Sequence, residues 1–453
     1  MTIIETAFII IGLVLVYLIT TLYLKKIGIF EKYKISFYGP ALLLRTKKGI
    51  GLLKKISSKK RFWKSYGSFG IFFCFLMMIL MVYLLAINIS AVLSFSPAQK
   101  EALPGIEFGL VIPGLNPLLP LEYLAYIIFA LIIAIIVHEF SHGILTFAHD
   151  LKVKSLGLLY LILPLGAFCE PDEEQLRTTK IKNRMRVYAA GPTSNFTVAF
   201  IVILLFSGVF MASVQPADGV HVLYVVSDSP ADQLKLNDGM VVTSLNQTPV
   251  NSVTDFLSVI QNTSVNQTVE INYMSYGETF SESVTLASQA DFTGNLSHQN
   301  MSFLGVGFNQ YVDGYIEALK HPLLFSFPDG LILLYSLPFF SYLVGYNPIV
   351  APFTQGYIIQ GPLSIIPVEV FWPIVNILYW MFWLNLIVAL FNVLPMMPLD
   401  GGFLFNDGVR SVIQRLNSKI SEEKREILVK NISLFTSLLI LLIVLFPWLI
   451  KYF

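Results

Sequence analysis

The stretch LAYIIFALIIAIIVHEFSH (124–142) decides how this chain is read. Leu124 to Val137 is apolar throughout, and His138-Glu139-Phe140-Ser141-His142 follows without a break. On a helix, residues i and i+4 share a face. His138 and His142 are therefore placed to hold one metal ion, with Glu139 beside it. A Glu and two His at the end of an apolar helix are costly in a membrane, so they mark a functional site unless a partner explains them.

The rest of the chain suits that helix. It has 453 residues, of which 55% are hydrophobic and only 13% charged, with a mean hydropathy of +0.68. A soluble domain carries roughly 25% charged residues, so a polytopic membrane protein is expected. Cys74 and Cys169 are too few for a disulfide scaffold or a thiolate metal site. Cys74 reads as a buried or lipid-facing hydrophobe, and Cys169 is ambiguous.

A crossing helix needs about 20 apolar residues. Six stretches meet this: 3–24, 69–92, 121–147, 186–211, 372–394 and 432–450. The first is long enough to be a retained span, and it lacks the basic leading segment and cleavage site of a secretory signal. Residues 25–68 hold many bases, among them Lys25, Arg45 and Arg61, against one acid, Glu31. By the positive-inside rule this loop is cytoplasmic and the N-terminus is outside. Parity then places 148–185 and 395–431 inside, and 93–120 and 212–371 outside. The apolar segment 325–345 reads as interfacial or re-entrant, interrupted by Pro328, Asp329 and Pro338. A second reading pairs it with 350–370 as two extra crossings. Residues 155–169, with Gly157, Pro164 and Gly166 as breakers, read as a re-entrant hairpin or a plain interfacial loop.

Residues 215–290 alternate apolar and polar positions in HVLYVV (221–226), TVEINYM (268–274) and ESVTLA (282–287), which is strand periodicity. SPADQLKLNDGMVVTSLNQTPV (229–250) predicts a short helix, a turn at Asn237-Asp238-Gly239, a strand and a hairpin. A helix follows at 253–260. This segment resembles a PDZ domain of bacterial-type proteases, a fold that takes extended peptides onto a sheet edge. The sequons at Asn246, Asn262, Asn266, Asn295 and Asn300 suit an external location.

Catalytic zinc takes three protein ligands and leaves a position for water. His221, His298 and His321 lie in the segment assigned outside. His149, about two turns past the motif, reads as solvated, though a place near the site stays open. Asp400, in FNVLPMMPLDGG (391–402), follows a spanning helix whose inner end lies at the membrane face of His142. Its competing role is a helix N-cap before Gly401-Gly402.

HEFSH on one spanning helix and NVLPMMPLDGG on a later one resemble the site-2 protease family of intramembrane metalloproteases. The pattern HExxH plus NxxPxxxxDG matches at Asn392, Pro395, Asp400 and Gly401, and a PDZ-like insertion is also a family trait. The resemblance implies Zn²⁺ bound by His138, His142 and Asp400, with Glu139 as general base. It also implies substrate-positioning roles for Asn392 and, through AGPTSNF (190–196), for Asn195. GAFCEPDEEQL (166–176) looks like the segment after the catalytic helix in some members. Its acidic run reads as a solvated face.

The expected architecture is a polytopic α-helical membrane protein of about six spans plus re-entrant segments, with a small extracytoplasmic, mainly-β PDZ-like domain. Residues 1–120 give two helices with the basic loop, and 121–211 the first part of the catalytic core. Residues 212–310 give the PDZ-like domain, 311–371 an interfacial segment, and 372–453 the second part of the core. The expected substrate is a single-pass, pre-cleaved membrane protein, often a tethered regulator, with the bilayer as the other partner and no nucleic acid. Two rivals stand: a membrane-anchored zincin with a cytosolic site, and a non-enzymatic scaffold built on a protease. A transporter would show inverted repeats, which are not visible.

Overall fold

The structure, a computed structural model, describes residues 3–33, 35–38, 41–109, 113–160, 164–326 and 328–452. Its helices of nine residues or more are α1 (Ile3–Lys26), α2 (Lys60–Ser94), α3 (Leu124–Ala148), α4 (Ile181–Leu205), α5 (Val253–Gln261), α6 (Val312–Lys320), α7 (Asp329–Val344), α8 (Val368–Asn392), α9 (Asp400–Leu416) and α10 (Glu422–Leu449). The strands that matter here are β1 (Ile35–Tyr38), β2 (Ala41–Thr46), β3 (Val153–Tyr160), β4 (Pro164–Pro171), β5 (Val220–Val225), β6 (Val241–Leu245), β7 (Thr268–Ser275), β8 (Glu278–Thr285) and β9 (Val306–Phe308).

Among the described residues, five helical segments are long and apolar enough to cross a membrane: Lys60–Ser94, Leu121–Ala148, Ile181–Ser213, Val368–Asn392 and Glu422–Leu449. They coincide with five of the six expected spans. The other expected span falls on α1, which has 24 residues. Large apolar side chains such as Phe72, Ile79, Phe435 and Leu438 are exposed on these helices. A water-soluble protein rarely exposes such a continuous apolar surface. The chain is therefore an integral multi-pass membrane protein.

Two compact units are present. The first comprises residues 1–106, 128–199 and 384–453. In it α2 crosses α4 at very close range. A Cβ on Gly70 would sit 2.6 Å from Thr193 Oγ1 of α4, and one on Gly67 would sit 3.0 Å from Arg186 Cβ of the same helix. Small residues at such crossings let helix backbones approach where no hydrophobic effect drives association. Cys74 is buried at the same crossing, its thiol 3.5 Å from Thr193 Oγ1.

The first unit also holds a four-stranded antiparallel sheet in the order β1-β2-β3-β4. This corrects the reading of residues 25–68 as a plain basic loop. β1 and β2 form a hairpin whose Leu42 to Thr46 pair with Tyr160 to Leu156 of β3. The expected hairpin at 155–169 is present as β3 and β4, with its tip, 161–163, outside the described residues. Gly157 is not a breaker. It lies inside β3, where a Cβ would collide with Leu44 O and the Phe168 ring.

The second unit comprises residues 107–127 and 200–383. Its sheet runs β8-β7-β6-β5-β9, with Thr248–Pro249 added to β6. The β7–β8 hairpin turns at Tyr276 and Gly277, with φ of 50° and 84°. Positive φ at both central residues is the turn geometry that matches strand twist. Ser229 caps the expected short helix, and α5 stands where the apolar pattern placed it. Val220, Leu236, Val242, Leu245, Phe256 and Ile271 form the shared core. This is a small mainly-β domain of the kind the strand periodicity predicts.

Helix α7 has 16 residues, short of a full crossing. Residues 350–370 hold two 3₁₀ turns, Phe353–Gly356 and Gly361–Ile365, the strand Tyr357–Ile359 and only the first residues of α8. They form no crossing helix of their own.

Adding a β-branched side chain at the tightest crossing should be costly. Gly70→Val is expected to destabilise the protein by about 1–3 kcal/mol through overpacking. Gly314→Ala, in a helix with open space around it, should not. Thermal unfolding of the detergent-solubilised variants checks this, and equal midpoints would contradict the close crossing.

Candidate metal centre

The i, i+4 spacing does what the sequence requires. His138 and His142 lie on one face of α3 with ring centroids 4.9 Å apart, and both are buried. Asp400 opens α9 and meets them. Its Oδ2 lies 2.9 Å from His138 Nε2 and 3.2 Å from His142 Nε2. These three side chains form a donor cluster in which one ligand atom from each lies within 4.8 Å of the others. Asp400 is not the N-cap of α9. Leu399 holds that position, and it makes no side-chain cap bond. The Asp400 carboxylate is thus left for the site.

Hydrogen bonding shows what this cluster needs. His142 Nδ1 is 2.7 Å from Val187 O. A carbonyl oxygen only accepts, so Nδ1 carries the proton and Nε2 presents a lone pair. Asp400 Oδ2, buried, receives no geometrically sound hydrogen bond despite its two close imidazoles. Lone pairs from nitrogen and oxygen therefore converge in an apolar setting without protons between them. A cation resolves that repulsion. Two His and one Asp form a donor set that zinc accepts, with a coordination position left over. Ligand atoms about 2.0–2.1 Å from a tetrahedral zinc lie about 3.4 Å apart, so the observed 2.9 and 3.2 Å are slightly tight. His138 Nδ1 departs from the usual pattern, being buried with no partner.

Glycine makes the room. A Cβ on Gly191 of α4 would sit 2.5 Å from both Nε2 atoms. It would fill the space where the cation has to be. Gly401 and Gly402 do a related job, since a Cβ on either would strike the backbone of Val393 or Met396. The first turn of α9 can therefore press against the chain leaving α8.

A buried ion pair keeps α9 in register with α4. Arg184 Nε donates to Asp407 Oδ2 at 2.7 Å, and its Nη2 contacts the other carboxylate oxygen. Such a bidentate fork fixes orientation as well as distance. Asp407 is two turns beyond Asp400 on the same helix face. Arg410 extends the network to Glu426 of α10.

Glu139, half-buried, points at the sheet. Its Oε2 accepts a hydrogen bond of 2.8 Å from the backbone N–H of Cys169 in β4. Burial, with Glu139 and Glu170 nearby, pushes the Cys169 thiol up to about 12. Cys169 is therefore a neutral packing residue, which resolves its ambiguity. In the acidic run, Glu170 is tied to Ser155 at 2.5 Å and Asp172 caps the helix Glu173–Thr178.

The remaining expectations divide. Asn195 is fully buried one turn past Gly191, and both of its amide atoms lack partners. Asn392 ends α8 and donates to Val388 O at 3.0 Å. Among the described residues, neither is hydrogen-bonded to the three donors. His149 is not the solvated side chain expected. Burial, helped by Arg186 and Lys64, lowers its pKa to about 4, and it stands outside the donor cluster. Sequence reasoning missed Gly191, although the motif containing it was singled out. It also missed Arg184 and Asp407. The i+7 spacing from Asp400 to Asp407 was the available signal.

Gly191→Val should cost about 10- to 100-fold in zinc affinity, the range seen when a supporting residue around a metal is altered. Zinc competition against a chelator on purified protein measures this. Unchanged affinity would show that the space beside Gly191 is not the ion's.

Comparison with known proteins agrees with the geometry. The model of peptidase family M50 matches residues 126–441, well over half of the chain. An uncharacterized protein of Methanocaldococcus jannaschii is 26% identical over 396 residues, covering 86% of this chain and 84% of that one. The zinc metalloprotease RasP of Shouchella clausii is 25% identical over 258 residues, covering 53% of this chain and 54% of its own. Among solved structures, the PDZ domain of an SdrC-like protein of Listeria monocytogenes aligns with 21% of this chain and 90% of its own, at 23% identity and a TM-score of 0.18. Its Listeria innocua counterpart aligns at 25% identity, covering 20% of this chain and 94% of its own, also at a TM-score of 0.18. By the extent of the family match, and with the HEFSH and LDGG motifs brought together, this chain belongs to peptidase family M50, the site-2 protease family of metalloproteases.

Proposed function

We propose that the chain is an intramembrane zinc endopeptidase that cuts transmembrane segments of single-pass, membrane-anchored regulatory proteins already trimmed by another protease. The observation that carries this reading is the His138–His142–Asp400 cluster at the end of a membrane-length helix, with the Glu139 carboxylate beside it. In this reading the N-terminus is outside, α1 is a sixth span, the site opens toward the cytoplasm, and the PDZ-like domain is extracytoplasmic. The charge bias of the loops supports that orientation.

His138, His142 and Asp400 would hold the zinc. Bound there, zinc supplies Lewis acidity and a water of lowered pKa. Glu139 takes the proton of the attacking water and returns it to the leaving amine. The Cys169 N–H fixes Glu139 Oε2, which leaves Oε1 for that transfer. Asn195 offers an unpaired amide donor and acceptor to a peptide group in the site, and Asn392 lies on the path from α8 to Asp400.

A substrate helix hides its peptide groups in its own hydrogen bonds and must unwind to be cut. The sheet offers a place to hold the unwound chain. Among the described residues β4 is the last strand of the order, with no partner strand on one side. The Cys169 N–H points to that side, and strand periodicity sends the Ala167 N–H the same way. An extended substrate segment pairs there by strand addition. The PDZ-like domain would gate entry by excluding bulky outer domains or by taking a new C-terminus.

The test is cleavage of a single-pass model substrate by purified protein, with zinc measured in the same samples. Glu139→Gln is expected to keep its zinc and lose cleavage by at least about 100-fold, the lower range for a general base. Ala167→Pro, which removes one edge donor, should keep zinc and Glu139 chemistry on short soluble peptides while slowing cleavage of the membrane substrate. If Glu139→Gln cuts normally, Glu139 is not the base; if wild type holds zinc and cuts nothing, the protease reading gives way to a metal-bearing scaffold.

A further inference from the structure

A second site lies in the unit that contains the PDZ-like domain. A cavity of about 280 Å³ is lined by Glu122 and Tyr123 at the start of the span Leu121–Ala148, by Tyr342 and Asn347 around the end of α7, and by Asn376 and Trp380 in the first half of α8. One water occupies about 30 Å³, so the space accommodates a group much larger than a single water.

Its chemistry is one-sided. Asn376 is 5% exposed, and its Nδ2 donates to Ile349 O at 2.8 Å and Trp372 O at 2.9 Å. A flipped amide would set Oδ1 against both carbonyls, so the orientation is fixed. Oδ1 is then a buried acceptor with no partner. Asn347 Oδ1 is already taken by the Ile349 N–H. Glu122 is exposed at the rim, with no ion-pair partner among the described residues. No Lys, Arg or His lines the cavity. The Tyr123 and Trp380 rings stand 5.9 Å apart in its wall. A buried acceptor, an unpaired carboxylate and aromatic faces together select a cation. The Asn376 acceptor further demands that this cation carry N–H protons.

We propose that this cavity binds a primary ammonium group, carried by an ethanolamine lipid headgroup or by a free small amine. Its walls come from the starts of two spanning helices and hold Tyr and Trp, the residues that sit at headgroup level. A quaternary ammonium keeps the aromatic contact but leaves Asn376 Oδ1 unsatisfied. An anionic glycerol headgroup offers no cation. The inference does not depend on the metal centre or on proteolysis.

The test uses the full-length protein. Native mass spectrometry after exchange into mixed-lipid nanodiscs reports which lipids stay bound, and thermal unfolding in detergent reports the effect of added ethanolamine. If the source is lipid, phosphatidylethanolamine is retained about tenfold over phosphatidylcholine and phosphatidylglycerol, the factor expected of one charge-assisted hydrogen bond. If the source is a free amine, the lipids show no preference and ethanolamine, but not choline, raises the midpoint. In either case Glu122→Gln and Asn376→Leu weaken the effect. Glu122 is exposed and its neutral replacement leaves the fold alone, so that variant serves if Asn376→Leu fails to fold. The proposal is overturned if neither the lipid preference nor the ethanolamine effect is found, which would mean the cavity holds water only. It is equally overturned if either effect survives Glu122→Gln undiminished.

Discussion

Lone pairs pointing at one another inside an apolar protein repel, and the unit that holds His138, His142 and Asp400 is organised around that repulsion. His142 gives its only ring proton to Val187 O, and Asp400 Oδ2 stands within 3.2 Å of both imidazoles. Without a cation this arrangement is unfavourable, and with one it is a binding site. The surrounding structure maintains it. Gly191 keeps α4 from filling the space, Gly401 and Gly402 let α9 start hard against the chain, and the Arg184–Asp407 pair fixes α9 along α4. A buried pair of this kind contributes little net stability. Here its use is registry, since two turns separate Asp407 from the residue that must reach the metal.

The Glu139 carboxylate depends on a different kind of constraint. Glu139 is oriented by a backbone N–H of β4, and β4 is held by a sheet whose other half comes from residues 35–46. The basic segment between α1 and α2 is therefore structurally part of the site's support. Leu42 reaches Tyr160 across more than a hundred residues to complete it. This ties the orientation of Glu139 to the edge strand β4.

Features set by local spacing were legible in the sequence. The i, i+4 histidines, the spanning lengths, the hairpins of the small domain and its helix at Val253 all follow from periodicity within a few turns. Asp400 was reachable because parity put two motifs at one membrane face. Long-range features were not legible. Residues 35–46, ISFYGPALLLRT, hold two apolar runs around Gly39-Pro40, a local hairpin signal hidden among the basic residues, but nothing local says that the second run joins β3. Gly157 looked like a breaker because its role, clearing Leu44 O and Phe168, exists only after pairing. Arg184 gave no local signal because its partner lies 223 residues away. His149 looked solvated because its burial comes from neighbours distant in sequence.

The most direct measurement is zinc-edge X-ray absorption on the purified protein, wild type against Asp400→Ala. The account predicts one zinc per chain, with two imidazole nitrogens and oxygen ligands at about 2.0–2.2 Å and no sulfur. It also predicts a changed first shell and weaker binding in Asp400→Ala. A sulfur ligand at about 2.3 Å, or a spectrum and affinity indifferent to Asp400, would contradict it.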